Sequence, residues 1–244
     1  MANLEPLIQS IPVAPLKLAS LEGCRTLADQ VNNYLVSFRH ESPTNVGQAD
    51  SLQGYCADSY LLECECPRFG SGEGKGVLKE SVRGCDLFIM VDVANYSLTY
   101  RVNGYENHMS PDNHYQDLKR IISAADGKAR RINVIMPFLY EGRQHKRSKR
   151  ESLDCALMLQ ELVDMGVSNI LTFDAHDPRV SNSIPLHGFD SFMPTYQFLK
   201  ALVNSVPDFV IDNDHLMIIS PDEGAMARAV YFSNILGVDM GMFY

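Results

Sequence analysis

Apolar residues along this 244-residue chain fall into two patterns that alternate, short continuous runs and helically spaced stripes. Leu118, Ile121, Ile122 and Ala125 sit at i, i+3, i+4 and i+7, one face of a helix that Gly127 can stop. The run 131–138 (RINVIMPF) is short, apolar and ended by proline, which suits a buried strand. Cys155, Met158, Leu159, Leu162 and Val163 then line one face of an amphipathic helix, with Gly166 as its C-cap and 170–173 as the next strand. Further on, 215–220 reads as strand, 223–236 as helix ended by Gly237, and 238–244 as strand again.

Helices set between short apolar strands predict parallel βαβ units, hence an α/β fold with a sheet flanked by helices on both faces. Two stretches are less regular, 36–58, which reads as a loop or insertion, and 178–195. The polar stretch 203–214 (VNSVPDFVIDND) is a plausible linker. The expected organisation is an N-terminal domain over 1–202, a linker over 203–214 and the start of a second domain over 215–244. Tyr244 falls inside the last expected strand with no helix after it, so the second domain is expected to be incomplete.

Composition narrows the function classes. Hydrophobic and charged fractions of 45% and 21% are those of an ordinary globular protein. A formal net charge of −9 argues against a general binder of nucleic acid or anionic membrane. No apolar run approaches the ~18 residues of a membrane span. No basic leader followed by an apolar stretch opens the sequence, so a cytoplasmic location is expected. Six cysteines in such a protein read as reduced, mostly buried thiols. Cys64 and Cys66 are too close for a zinc knuckle.

In open α/β sheets, ligands bind beyond the carboxyl ends of the strands. Four segments after expected strands carry functional side chains. They are Phe69-Gly70-Ser71-Gly72-Glu73-Gly74, Arg143-Gln144-His145-Lys146-Arg147, Asp174-Ala175-His176-Asp177 and Ser220-Pro221-Asp222-Glu223-Gly224. Each also has a plain structural explanation. Glycines make turns, a charge run forms a solvated face, a histidine closes a hydrogen-bonded pair, and Ser or Asp caps a helix. Taken together, a basic cluster, a His-Asp pair and an acidic helix start would surround a phosphate–metal ligand.

At these residues the chain resembles the ribose-phosphate pyrophosphokinases. Phe69-Gly70-Ser71-Gly72-Glu73 is similar to the family's Phe-Ser-Asp-Gly-Glu loop. Glu80-Ser81-Val82-Arg83-Gly84-Cys85-Asp86-Leu87-Phe88-Ile89 is similar to its Glu-x-Val-Arg-Gly-x-Asp-Val-Phe-Ile. Arg143-Gln144-His145-Lys146 resembles its Arg-Gln-Asp-Arg/Lys, and Thr172-Phe173-Asp174-Ala175-His176 its Thr-Met-Asp-Leu-His. Ser220-Pro221-Asp222-Glu223-Gly224, with Arg228 beyond, resembles Ser-Pro-Asp-x-Gly-x-x-x-Arg. Five motifs in order span the chain from about residue 60 onward. Ser71 and His145 each stand where the family pattern has Asp.

The resemblance implies a type I phosphoribosyltransferase-like fold and a Mg²⁺-dependent transfer of pyrophosphate from ATP to the C1 hydroxyl of ribose 5-phosphate. It implies ATP-binding roles for Phe69, Ser71, Glu73, Arg143, Gln144 and His145, and metal-binding roles for His176 and Asp222. It also implies a homo-oligomer, with the base-binding loop at a subunit interface. Histidine as a magnesium ligand rests on the resemblance alone, since this hard cation prefers oxygen. The family's catalytic Lys-Arg-Arg loop and its ribose-phosphate loop do not occur here, so no catalytic residue is expected within these 244 residues. A fragment of an active kinase is therefore expected. The alternatives are an inactive regulatory subunit of the same fold and a phosphoribosyltransferase.

Overall fold

The computed structural model describes residues 12–41 and 54–243. Two compact units, Met1–Phe192 and Met193–Tyr244, make up the chain.

The first unit is built on a six-stranded sheet. Its strands are β1 (Leu16–Ser20), β2 (Leu61–Leu62), β5 (Asp86–Met90), β8 (Arg131–Ile135), β9 (Val167–Phe173) and β10 (Gly188–Phe192). They lie in the order β10-β9-β8-β5-β1-β2, and every neighbouring pair is parallel. Three helices serve this sheet, α1 (Arg25–Glu41), α2 (Pro111–Ala124) and α3 (Asp154–Asp164). One sheet face sends Ala19, Leu87, Ile89, Ile132, Val134 and Ile170 into a core shared with α2 and α3. The opposite face packs Leu18 and Met90 against Cys24 and Ala28, the last of these on α1.

Local chemistry explains the two best-packed helices. Ser110 caps α2, its hydroxyl accepting from the Asn113 N–H, and Pro111 occupies the first turn. The helix stops where Asp126 and Gly127 both turn into the left-handed region. Leu118, Ile121, Leu159 and Leu162 are fully buried, each contributing roughly 1.5–3 kcal/mol. Gly166, in the left-handed region at φ 93°, returns the chain from α3 into β9.

Two antiparallel hairpins stand outside this sheet. The first pairs β3 (Cys64–Glu65) with β4 (Val77–Leu78), and the second pairs β6 (Thr99–Val102) with β7 (Tyr105–His108). In the second unit, β11 (Ile218–Ser220) and β12 (Met240–Met242) pair in parallel, joined by α5 (Met226–Leu236), which ends at Gly237 in the left-handed region. An exposed helix, α4 (Thr195–Ser205), precedes them.

Several expectations change. Residues 36–41, expected in a loop, complete α1; residues 42–53 of that stretch lie outside the described residues. The stretch 178–195 is not irregular throughout. It holds a 3-10 turn (Pro178–Ser183) and the edge strand β10, since the chain must pair beside β9 to satisfy that strand's backbone. Val203–Asp214 begins as the last turn of α4, and the boundary between the two compact units falls ahead of it, after Phe192. The expected strand 215–220 is confined to Ile218–Ser220, because Asp212 accepts backbone and ring hydrogen bonds from His215 and holds that end in a turn. Among the described residues, no helix is long and apolar enough to cross a membrane.

Candidate functional site

β8 and β9 are neighbours, and the segments after them converge. Beyond β8 the chain turns at Glu141, in the left-handed region at φ 54°, with the Gly142 N–H donating to Leu139 O and the Gln144 N–H to Glu141 O. Tyr140 pins this turn to α2, its ring stacked on Tyr115 at 4.6 Å and its hydroxyl donating to Asp112 over 2.6 Å. Gln144 is tied to the start of α3. Its Nε2 donates to Ser152 O at 2.7 Å, and its carbonyl accepts from the Cys155 N–H. The basic run is thus anchored at both ends by packed elements.

Beyond β9, Asp174 takes the left-handed conformation, and its N–H donates to Phe192 O. The Ala175 N–H donates to the Ser191 hydroxyl. This double attachment to β10 turns His176 and Asp177 toward the β8 side. The His145 and His176 rings lie 4.9 Å apart, and His145 Nε2 is 3.7 Å from the Asp177 carboxylate. Asp177 is already neutralised, since Arg179 grips it through Nε and a terminal nitrogen. That guanidinium holds the Asp177 carboxyl well below the usual carboxylate range.

The run after β8 is rich in exposed cations. Arg143, Lys146, Arg147, Lys149 and Arg150 are all exposed. Among the described residues, none of the five forms an ion pair with a carboxylate. Arg143 lies over the Phe138 ring, 5.9 Å from its centroid, a contact that fixes the side chain without consuming its charge. These five cations stand exposed together on a protein of net charge −9.

The loop at Phe69 is placed otherwise than expected. It does not follow a strand of the parallel sheet but closes the β3–β4 hairpin, because Arg68 and Gly74 bridge and force a tight reversal between them. The Phe69 N–H donates to Glu73 O at 2.7 Å, Gly72 sits at φ 93°, and the Ser71 hydroxyl donates to the Glu73 carboxylate at 2.8 Å. Phe69 is 51% exposed, an aromatic face open to a flat partner. Among the described residues, no hydrogen bond, ion pair or ring contact joins Phe69–Glu73 to residues 143–150 or 175–177.

Asp222 belongs to the second unit. There it caps a 3-10 turn (Glu223–Ala225), its carboxylate accepting from the Ala225 N–H at 2.9 Å, while buried Ser220 donates to Asp222 O. Of the expected site residues, the structure therefore brings Arg143, Gln144, His145 and His176 to one place, and sets Phe69, Ser71 and Glu73 on another element. The sequence reading includes Asp177 in a functional segment but passes over Arg179 and Tyr140, and the signal for Arg179 is its place two residues after Asp177.

For a metal, the donor chemistry fits a restricted role. Among the described residues, no group of three or more His, Cys, Asp or Glu side chains could hold an ion by itself. One imidazole or carboxylate with open neighbours suits magnesium that arrives bound to a polyphosphate and keeps its water.

A parallel six-stranded sheet flanked by helices defines an α/β protein of the phosphoribosyltransferase-like class. Residues 16–166 match the family described as the N-terminal domain of ribose phosphate pyrophosphokinase, and the chain belongs to that family. The ribose-phosphate pyrophosphokinase of Bacillus cereus is 27% identical over 220 residues, 88% of this chain and 55% of that protein. That of Thermosipho africanus is 31% identical over 180 residues, 72% and 51% respectively. The crystal structure of phosphoribosylpyrophosphate synthetase from Mycobacterium smegmatis shares the fold, with a TM-score of 0.68 at 22% identity over 93% of this chain and 63% of that one. The chain spans about half the length of the curated relatives it matches.

Proposed function

We propose that this chain is the ATP-side portion of a ribose-phosphate diphosphokinase, which transfers the pyrophosphoryl group of Mg-ATP to the C1 hydroxyl of ribose 5-phosphate. The observation that carries this reading is the set of five unpaired cations beside the His145–His176 pair at the carboxyl ends of β8 and β9. Such a set neutralises a triphosphate, with Arg giving forked contacts and Lys point charges. Family membership supplies the reaction class.

In this reading Arg143 and Gln144 hold the phosphates, and their anchoring to Phe138 and to the start of α3 fixes where those phosphates lie. His145 orients His176 through the ring contact. Phe69 stacks on adenine, and Glu73, oriented by Ser71, accepts from the base; in an assembled homo-oligomer this loop serves a neighbouring subunit. His176 in the first unit and Asp222 in the second are each proposed as magnesium ligands, and the ion when bound would offset the charge developing on the phosphates. Positioning and charge neutralisation account for most of the catalysis in such a transfer. The groups that align the sugar are expected outside these residues, so this chain alone binds nucleotide without making phosphoribosyl pyrophosphate.

The test is calorimetric titration of the 244-residue protein with Mg-ATP, tripolyphosphate and duplex DNA at physiological salt. Competing binding of ATP and tripolyphosphate is expected. Salt-sensitive DNA binding with no competition by ATP would refute the reading.

A further inference from the structure

The base of the Phe69–Glu73 loop is fastened by a buried ion cluster that neither the sequence motifs nor the proposed reaction accounts for. Asp117, on α2, accepts from Arg68 at 2.7 Å through one carboxylate oxygen and from Arg120 at 2.6 Å through the other. The Asp117 and Arg68 side chains are only 6% and 11% exposed. Arg68 immediately precedes Phe69, so the carboxylate fixes one arm of the hairpin at its last residue before the turn.

The other arm lies against the same helix. A Cβ on Gly76 would fall 2.4 Å from the Arg120 carbonyl oxygen, and one on Gly74 would fall 2.4 Å from an Arg68 nitrogen and 2.9 Å from an Arg120 nitrogen. This arm therefore rests on the α2 backbone at Gly76 and on the two guanidinium groups at Gly74, while the first arm reaches α2 through the Arg68–Asp117 pair. Steric packing does not confine Arg68 on all sides, because a cavity of about 390 Å³, lined by Arg68, Tyr100, His114 and Asp117 among others, opens beside it. What holds the guanidinium out of that space is the carboxylate, with the Tyr100 ring 5.3 Å away.

We infer that Asp117 is a positioning residue for the nucleobase: by clamping Arg68 and Arg120 it sets the height and angle at which Phe69 and Glu73 are presented. The inference rests on the proposed nucleotide-binding role of the loop. Arginines as little exposed as Arg68 are costly without their carboxylate, so the flank must move toward water when Asp117 is removed. The run beyond β8 is untouched, since among the described residues no hydrogen bond or ion pair links it to Asp117.

Two variants of the full chain test this, Asp117→Asn and, as a milder change that keeps the charge but loses the fork, Arg68→Lys. Hydrogen exchange followed by mass spectrometry would read the amides of Phe69, Gly72 and Lys75, with a peptide over β8 as the reference for global unfolding. Exchange in the hairpin should quicken while β8 stays protected. Affinity for Mg-ATP should fall about tenfold, the size expected for losing one aromatic–base stack, with tripolyphosphate affinity unchanged. Unchanged hairpin protection, or parallel weakening of ATP and tripolyphosphate, would overturn the inference. If both variants bind ATP like the parent, this inference falls and the proposed function stands. If the parent chain binds neither ligand, the proposed function falls and this inference with it.

Discussion

Replacing Asp86 by alanine should destabilise the first unit by about 3 kcal/mol without weakening nucleotide binding. Asp86 opens β5 and is 5% exposed, yet its carboxylate is fully used. Arg131 donates to it twice, through Nε at 2.8 Å and a terminal nitrogen at 2.5 Å, and Asn133 donates at 2.7 Å. Asn169 continues the ladder by donating to Asn133. These residues lie toward the amino-terminal ends of β5, β8 and β9, at the opposite edge of the sheet from His145 and His176.

Breaking a buried ion pair typically costs ~3–5 kcal/mol, because the surviving charge is left without compensation. The Arg131 side chain is 33% exposed, so water recovers part of that loss, which sets the expectation at the lower end. With a urea slope of roughly 2–3 kcal/mol per M for a unit of this size, the midpoint should drop by about 1–1.5 M. The double variant Asp86→Leu with Arg131→Met removes both charges and should recover to within ~1 kcal/mol of the parent. Urea unfolding followed by far-ultraviolet circular dichroism, with ATP titration on each variant, measures both quantities. A loss under ~1 kcal/mol for Asp86→Ala would show that this ladder does not hold the sheet. An equal loss of ATP affinity would show that ligand chemistry is not confined to the carboxyl ends.

Other outcomes follow from the same geometry. Burial raises the thiols of Cys24, Cys64 and Cys155 to about 11 and that of Cys66 to about 12, so exposed Cys56 should react first with a thiol reagent at pH 8, and a fast Cys64 would contradict the packing. Those four raised values favour the neutral thiol in the fold. Their stabilisation is therefore complete below the unfolded value of ~8.5 and is lost as pH rises toward 11, visible as a falling urea midpoint between pH 8 and 10. Tyr140→Phe keeps the stack on Tyr115 but leaves Asp112 without its donor, costing about 1 kcal/mol and loosening the turn before Arg143, to be read as faster amide exchange at Gln144. Gly76→Ala should disrupt the seating of the β3–β4 hairpin on α2, lowering the melting temperature by several degrees, about the shift for ~1–2 kcal/mol.

How far the sequence reveals all this depends on whether a segment's structure is set by its own apolar period or by distant partners. The α2, α3 and β9 segments carry strong periods and punctuating glycines, and they form close to where those signals put them. The last two turns of α1 carry few buried residues and read as loop, because its stripe against β1 is narrow. The β6–β7 hairpin has polar strands that show no apolar alternation, although Asn103-Gly104, both at positive φ, is a strong local turn signal. Site residues follow the same division. The cationic run after β8 is a composition signal, and strand order then brings it beside His176. Pairings such as Arg68 with Asp117, 49 positions apart, and Tyr140 with Asp112, 28 apart, join residues that have no shared motif. Such contacts fix where the recognised motifs point, so the chemistry of this site is legible as a list of groups while its geometry resides in the residues that the motifs leave out.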